Sequence, residues 1–408
     1  MNNENQHIPV GYKSSPLGII PEDWEVKRLG EIAEITSGTT PSRENSSFYS
    51  NGTIPWVKTT DLNNNILNKT EELVTEKAVA QTSLKILSSG TVLVAMYGGF
   101  NQIGRTALLG VDATVNQALS AIVCKQEVFN HYVLAWLNCH VGGWKRLAAS
   151  SRKDPNITGK DVERFPILVP KIEEQQRIVS VLSLWDTAIS KQTALIEKLT
   201  VRKRGLMQQL LTGKKRLKGF EGKWKRIKAG KVFKSISVKG NCSEVLLSAT
   251  QEYGVIPRTQ LEGRVTMPTG DTSSFKLVEV GDFVISLRSF QGGIEYSEHR
   301  GIVSPAYTVL KPVIEIDKLF YRYYFKSVEF IGHLAIAVIG IRDGKQISYD
   351  DFCFVKIPYP NIEEQKKISS ILMQADKEIE LAKQKLSSLQ EQKKGLMQVL
   401  LTGKKRIK

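Results

Sequence analysis

Cysteine is scarce: four in 408 residues, Cys124, Cys139, Cys242 and Cys353, with no Cys-x-x-Cys pair. The five histidines do not supply the other half of a zinc site, so neither a disulfide framework nor a structural metal is expected. Free thiols in a long chain fit a reducing compartment. Long apolar runs are missing too. The longest, Leu334 to Ile341, is far too short to span a bilayer, and the opening Met-Asn-Asn-Glu-Asn-Gln-His lacks a basic-then-apolar signal pattern. A cytoplasmic protein with no membrane association is expected. No Pro-Pro dipeptide occurs, which removes the motif that holds a flipped base for methyl transfer, and no Gly-x4-Gly-Lys loop exists to drive translocation with a nucleotide. Glu-x-Lys, a tripeptide of metal-dependent nucleases, occurs at Glu25/Lys27, Glu221/Lys223, Glu364/Lys366 and Glu391/Lys393, a scatter that reads as composition. Cys139 and His140 are neighbours in a predicted helix and point to different faces; His299 and His333 are isolated. The expectation is a chain with no catalytic residue and no metal or cofactor of its own, although a triad assembled in space would escape a search by spacing.

Acidic residues are outnumbered. Against 41 Asp and Glu stand 57 Lys and Arg, a net charge of +16 that suits a polyanionic partner, nucleic acid above all, because neutralised phosphates release condensed counterions. Residues 201 to 240 alone hold fourteen Lys and Arg against one acid, Glu221; a solvated linker is the plainer reading of that run. Hydrophobic residues at 41% and charged residues at 24% exclude wholesale disorder, and the length calls for two to three domains.

What is present in abundance is repetition. Pro170-Lys-Ile-Glu-Glu-Gln-Gln-Arg-Ile178 returns as Pro360-Asn-Ile-Glu-Glu-Gln-Lys-Lys-Ile368, and Gly205-Leu-Met-Gln-Gln-Leu-Leu-Thr-Gly-Lys-Lys-Arg216 returns as Gly395-Leu-Met-Gln-Val-Leu-Leu-Thr-Gly-Lys-Lys-Arg406, both at an offset of 190. Between these ends, positions step by alternating four and three: Ile178, Leu182, Trp185, Ile189, Gln192, Ile196, Leu199, Lys203, Leu206, Leu210, with the copy in register from Ile368 to Leu400. A seven-residue apolar period is a coiled-coil seam, interrupted equivalently by Lys203 and Lys393, which either set register or snorkel to water. Gly213 and Gly403 supply helix stops. If the two helices pair with each other, antiparallel is the simplest arrangement, giving a rod of about 60 Å with one globular domain at each end. Two unrelated amphipathic helices, each covering its own domain, are the alternative.

The remaining segments read as mixed α/β. Strands are predicted over Thr91–Met96, Ala118–Val123, Phe283–Leu287 and Ala306–Leu310, and one longer helix per segment over His131–Leu147 and Lys318–Ile336. Both segments begin alike, Trp24 and Gly30 matching Trp224 and Gly230, and end alike, Ile157-Thr158 and Asp161 matching Ile347-Ser348 and Asp351, while their middles differ.

Loop context selects candidates for nucleic-acid contact, with phosphates met by Lys and Arg and base edges by Arg, Lys, Asn or Gln. They are Arg43, Lys58, Thr59, Thr60, Tyr97, Asn101, Gln102, Arg105, Arg152 and Lys153 in the first segment, where Gly98-Gly99 and Gly104 permit a tight excursion, and Arg258, Arg288, Ser289, Gln291, Arg342 and Lys345 in the second. Each competes with the reading of a solvated loop side chain. Glu173, Glu174, Gln175 and their copies Glu363, Glu364, Gln365 sit in the first turns of the long helices, where carboxylates favour the dipole.

The duplicated Pro-x-Ile-Glu-Glu-Gln-x-x-Ile leading into a long helix closed by Leu-Leu-Thr-Gly-Lys-Lys-Arg resembles the specificity subunit of type I restriction-modification systems. Pro21-Glu-Asp-Trp-Glu-Val-Lys-Arg-Leu-Gly30, Ser37-Gly-Thr-Thr-Pro-Ser42, Gly52-Thr-Ile-Pro-Trp-Val57, Asn116-Gln117 and Gly281-Asp-Phe-Val-Ile285 with Gly301-Ile-Val-Ser-Pro305 agree with it in order. The resemblance implies residues 1–170 and 219–360 as two target-recognition domains, and residues 171–218 and 361–408 as conserved coiled-coil helices. It implies a non-catalytic subunit that reads a bipartite, asymmetric site in double-stranded DNA, flanked by two methyltransferase subunits that bring S-adenosylmethionine and adenine methylation. Two ATP-dependent, Mg-requiring restriction subunits can join. The six Glu and Gln positions at the helix starts, with the outer helix faces, would dock the methyltransferase partners. Two departures stand out: Glu221-Gly-Lys-Trp224 opens the second domain where Pro21-Glu-Asp-Trp24 opens the first, and Ser304-Pro305 replaces Asn116-Gln117. A self-sufficient Mg-dependent restriction enzyme, or a sequence-indifferent coiled-coil scaffold on nucleic acid, are the competing functions.

Overall fold

The computed structural model describes residues 8–149, 156–261, 270–287, 289–338 and 347–407. The chain forms two compact units, Met1–Lys191 together with Lys385–Lys408, and Gln192–Gln384.

In the first unit aliphatic and β-branched runs build a five-stranded sheet in the order Ala33–Ser37, Leu119–Cys124, Val92–Ala95, Thr106–Leu109, Ile66–Leu67; the first three neighbouring pairs are antiparallel and the last pair parallel. Side chains alternate across a strand, and here both faces are apolar. Val92, Val94, Leu108 and Ile122 enter one core with the helices, while Leu93, Ala95, Ala107, Leu109 and Ala121 enter a second core on the other side.

The second unit repeats this plan with a four-stranded antiparallel sheet, Phe233–Ile236, Thr308–Pro312, Phe283–Ile285, Glu295–Tyr296, in the same order as the first four strands above. Phe233, Phe283, Ile285 and Leu310 join the helix-side core; Val284 and Val309 join the opposite one. In each unit an entry strand pairs antiparallel with an exit strand, Glu25–Arg28 with Pro166–Val169 and Lys225–Lys228 with Lys356–Tyr359, which delivers the chain to the start of a long helix. The matching Thr158 and Ser348 prove to be helix N-caps, each accepting from the amide three residues on.

Each segment's expected single helix is broken in two. Asn130–Cys139 ends at His140, whose amide bonds back to Trp136 and Leu137 and whose ring stacks on Trp136, and a new helix runs Val141–Ala149. Lys318–Tyr324 likewise gives way to Val328–Val338, with the Ser327 hydroxyl accepting from the Phe330 amide. Apolar periodicity continues across such breaks and therefore conceals them.

The two long helices, Ile172–Leu210 and Ile362–Leu400, hold 39 residues each and pair antiparallel within both units. In the first unit Asp186 meets Lys393 at 2.5 Å and Glu174 meets Arg406; in the second, the Gln192 amide donates to Ala382 O at 2.9 Å, Lys203 pairs with Asp376, and Arg216 meets Glu364. The stepped positions are the ones that face inward, with Ile178, Leu182, Ile368, Leu372, Ala375, Ala382 and Leu400 buried and Leu199, Leu206, Leu386 and Leu389 half-buried. Both seam lysines are thus ion-paired across the helices instead of fraying into water. Gly213 and Gly403 end the helices at φ +70, and a β-carbon at Gly403 would stand 2.4 Å from Pro21 Cδ.

Candidate nucleic-acid interface

Two connections in the first unit carry the expected contact residues. The first follows the strand Ile54–Val57 as a single tight turn, Thr59–Asp61, whose Asp61 carboxylate accepts the Lys58 amide at 2.7 Å. Thr60 is exposed there and Thr59 half-buried. Lys58 and Arg43 both spend their charge on Glu72, at 2.7 Å and 2.6 Å, and Lys58 also reaches Glu71. Arg43 further lies over the rings of Tyr49 and Trp56. Hydrogen bonds from Arg43 and Lys58 hold the Glu72 carboxyl below its ordinary range, and the same bonds raise both cations. These two basic residues therefore brace the fold, and contact with a phosphate would have to compete with Glu72.

The second connection, residues 96–105, links two central strands. Ile103 is buried and pins its base, leaving Tyr97, Phe100 and Asn101 exposed at its tip. Gln102 is half-buried, its carbonyl accepting from Arg105 at 3.0 Å. Gly98, at φ +107, is in close contact: a β-carbon there would stand 2.7 Å from Gln102 Cβ and 3.9 Å from Thr59 Oγ1. The two connections meet at that point, so Thr59, Gln102 and the exposed tip form one edge. Arg152 and Lys153 lie outside the described residues.

In the second unit Ser289 and Gln291 fall on the connection equivalent to residues 96–105, whereas the strand equivalent to Ile54–Val57 is Leu247–Thr250, so Arg258 follows the next strand instead. Between Phe283–Ile285 and Glu295–Tyr296 lies a short helix, Ser289–Gly292. Gln291 is exposed, but Ser289 is buried and its hydroxyl accepts the Ser286 amide at 2.8 Å, so it shapes the turn and is withheld from a ligand. Arg258 opens the turn Arg258–Gln260 after the strand Gly254–Pro257; it is half-buried, and its Nε is enclosed without a hydrogen-bond acceptor among the described residues. Arg288, Arg342 and Lys345 lie outside the described residues. Exposed aromatics escaped the sequence reading on both units, Phe100 beside Asn101 and Tyr253 in the turn before Gly254, since nothing but exposure distinguishes them from core.

Of the six Glu and Gln positions at the helix starts, Glu173 and Glu363 are exposed. The other four are buried, their side chains bonded within their own unit. Glu174 accepts from the Trp24 indole at 3.0 Å and from two nitrogens of Arg406 at 2.6 and 2.7 Å; Arg406 also forks onto Asp23. Glu364 accepts from the Trp224 indole at 2.9 Å and from Arg216 at 2.7 and 2.8 Å. Gln175 bonds the Phe129 amide and Pro170 O, as Gln365 bonds the Asp317 amide and Pro360 O. The repeated Glu-Glu-Gln and Lys-Lys-Arg motifs are therefore two halves of one lock, and each lock joins the start of one long helix to the tail of the other. The locks differ in one respect: Lys223 stands where the first has Asp23, and Arg216 bonds Gly222 O instead. The Arg406 hydrogen bond holds Asp23 below its usual range.

Among the described residues no cluster of three His, Cys, Asp or Glu is placed to hold a metal ion, and no helix is long and apolar enough to cross a membrane. Burial pushes the Cys124 thiol up to about 12.

The family model for the type I restriction modification DNA specificity domain matches this chain twice, over residues 21–201 and 221–391. The putative type I restriction enzyme MjaX specificity subunit of Methanocaldococcus jannaschii is 26% identical over 428 residues, covering 97% of both chains. The MjaIX specificity subunit of the same organism is 31% identical over 197 residues, which is 47% of this chain. The chain spans about half the length of the first relatives it matches, 45% of the MjaIX subunit and 46% of the EcoR124I/EcoR124II specificity subunit of Escherichia coli. Among solved structures, a chain described under complex assembly and conformational transition of the type I R-M system matches with TM-score 0.60 and 17% identity, over 94% of this chain and 99% of that one. The type I restriction-modification S subunit from M. genitalium matches with TM-score 0.53 and 17% identity, over 93% and 96%. These two likenesses establish the fold.

Proposed function

Since the chain belongs to the type I restriction modification DNA specificity family, we propose that it is the subunit that reads double-stranded DNA for a complex whose chemistry is done elsewhere. The observation that carries this reading is the pair of units built on one strand order, whose equivalent connections present different side chains: Asn101 and Gln102 in one, Gln291 in the other. A common scaffold with unlike reading edges suits a site of two unlike halves separated by unread bases, since base edges carry the specificity and the scaffold only places it. The +16 net charge supplies the general attraction to phosphate.

On this reading the chain itself is non-catalytic and works with two methyltransferase subunits and, for cleavage, two restriction subunits. S-adenosylmethionine, ATP and Mg belong to those partners. The exposed Glu173 and Glu363 are the members of the expected docking set available to a methyltransferase subunit.

The test is selection from a random duplex library by the chain with its methyltransferase partner. Enrichment of a motif in two parts is expected; a library left unenriched removes the reading, and cleavage by the chain alone with Mg would replace it with a self-sufficient nuclease. Asn101→Ala is expected to relax preference about tenfold in one half only.

A further inference from the structure

In the second unit the chain breaks between Lys318–Tyr324 and Val328–Val338 at Phe325-Lys326-Ser327. The Lys326 ammonium has three donors and three acceptors: Gly292 O at 2.9 Å, Gln251 O at 3.3 Å and Glu295 Oε1 at 2.6 Å. The acceptors come from three separate pieces of chain. Gly292 ends the short helix that carries Gln291, Gln251 lies in the turn between the paired strands Leu247–Thr250 and Gly254–Pro257 that leads to Arg258, and Glu295 begins the next sheet strand.

The same pieces also meet through a parallel bridge between Val255 and Ser297 and through Gln251 packed on Gly292, and the ammonium sits where they converge. Glu295 is 1% exposed, and its second oxygen has no hydrogen-bond partner among the described residues. A cavity of about 990 Å³ opens beside it, lined by Gln251, Tyr253, Gln260, Glu295 and Lys326 among others. Close approach reinforces the junction, because a β-carbon at Gly293 (φ +81) would stand 1.9 Å from Phe325 O. The equivalent connection of the first unit is seated differently: Ile103 is buried, and Gly104 lies against the Trp144 ring.

We propose that Lys326 is a positioning residue for base reading by the second unit: one ammonium, neutralised by Glu295, ties the Gln291 connection to the exposed turn at Gln251–Tyr253. The proposal rests on the reading that each unit reads one half of a two-part site, and deepens it by naming the residue that sets the geometry of one half. Loss of the clamp leaves a buried carboxylate uncompensated and frees two reading segments from each other, without touching the first unit's edge.

The full chain with its methyltransferase partner is tested by duplex-library selection as wild type, Lys326→Met and Lys326→Arg, each confirmed folded by thermal unfolding. Lys326→Met is expected to lose at least tenfold of base preference in one half, with the other half and the salt dependence unchanged, while Lys326→Arg, which keeps charge and donors, retains it. An unchanged motif with Lys326→Met, equal loss in both halves, or equal loss with Lys326→Arg overturns the proposal. Should Lys326→Met not fold, Glu295→Gln decides: weakened preference in the same half supports the clamp, and unchanged preference overturns it. A wild-type chain that enriches no two-part motif overturns the parent reading and the clamp with it, whereas an intact wild-type motif with an indifferent variant overturns the clamp alone.

Discussion

Glu364 has no exposed side-chain surface, yet it remains satisfied because the Arg216 fork and the Trp224 indole fill its lone pairs. Removing one partner of such a pair is costlier than the pair's net contribution, since the other charge stays buried. Arg216→Met is accordingly expected to destabilise the second unit by about 3 kcal/mol in denaturant titration, and a loss below about 1 kcal/mol would mean the carboxylate finds water. Glu295 gives a different residue-scale prediction. Burial pushes its carboxyl up to about 7, against Lys326, which pulls it down. The folded chain then keeps a proton that the unfolded chain releases at about 4.3, so this contribution to stability is present at acid pH and lost as pH rises through about 7. Unfolding free energy measured from pH 5 to 8 should fall less steeply for Glu295→Gln than for the wild type; parallel curves would remove the assignment.

At the scale of elements, the seam shows why a heptad pattern is interrupted twice at the same place. Lys393 with Asp186 and Lys203 with Asp376 are copies of one cross-helix pair, and a slip by one heptad would part each ammonium from its carboxylate, setting Lys393 beside Val179 or Thr193 and Lys203 beside Ser369 or Lys383. Such pairs favour one register at a cost in stability. Lys393→Leu is therefore expected to raise unfolding free energy by about 1 kcal/mol while admitting alternative registers, detectable as new disulfides between cysteines engineered one heptad apart. A fall in stability would make the pair a net stabiliser.

At the scale of the whole molecule, the first unit is discontinuous in sequence: Met1–Lys191 is completed by Lys385–Lys408, with the second unit's residues inserted between. Met397, Leu400 and Leu401 belong to the first unit's core, and Arg406 neutralises its Glu174. A chain ending at Gln384 should lose hydrogen-exchange protection in the strands Val92–Ala95 and Leu119–Cys124, while Phe283–Ile285 and Thr308–Pro312 keep theirs. Equal loss in both sheets would show that the units do not unfold separately.

Much of this architecture was legible before any coordinates. The 190-residue offset, the stepped apolar positions and the strand runs around Val92, Leu119, Phe283 and Thr308 depend on local periodicity, which a chain carries in its own order of residues. The helix breaks at His140 and Lys326 did not show, because apolar spacing continues through them. Nor could residue type distinguish Glu174 from Glu173, or uncharged polarity tell Ser289 from Gln291: like polar groups one or two positions apart are buried or exposed according to which face meets a neighbour. Sequence alone determined that two like modules alternate with two like helices. Tertiary structure decided that the duplicated motifs lock onto each other's helix ends, since a buried carboxylate is tolerable only where an arginine distant in the chain arrives to neutralise it.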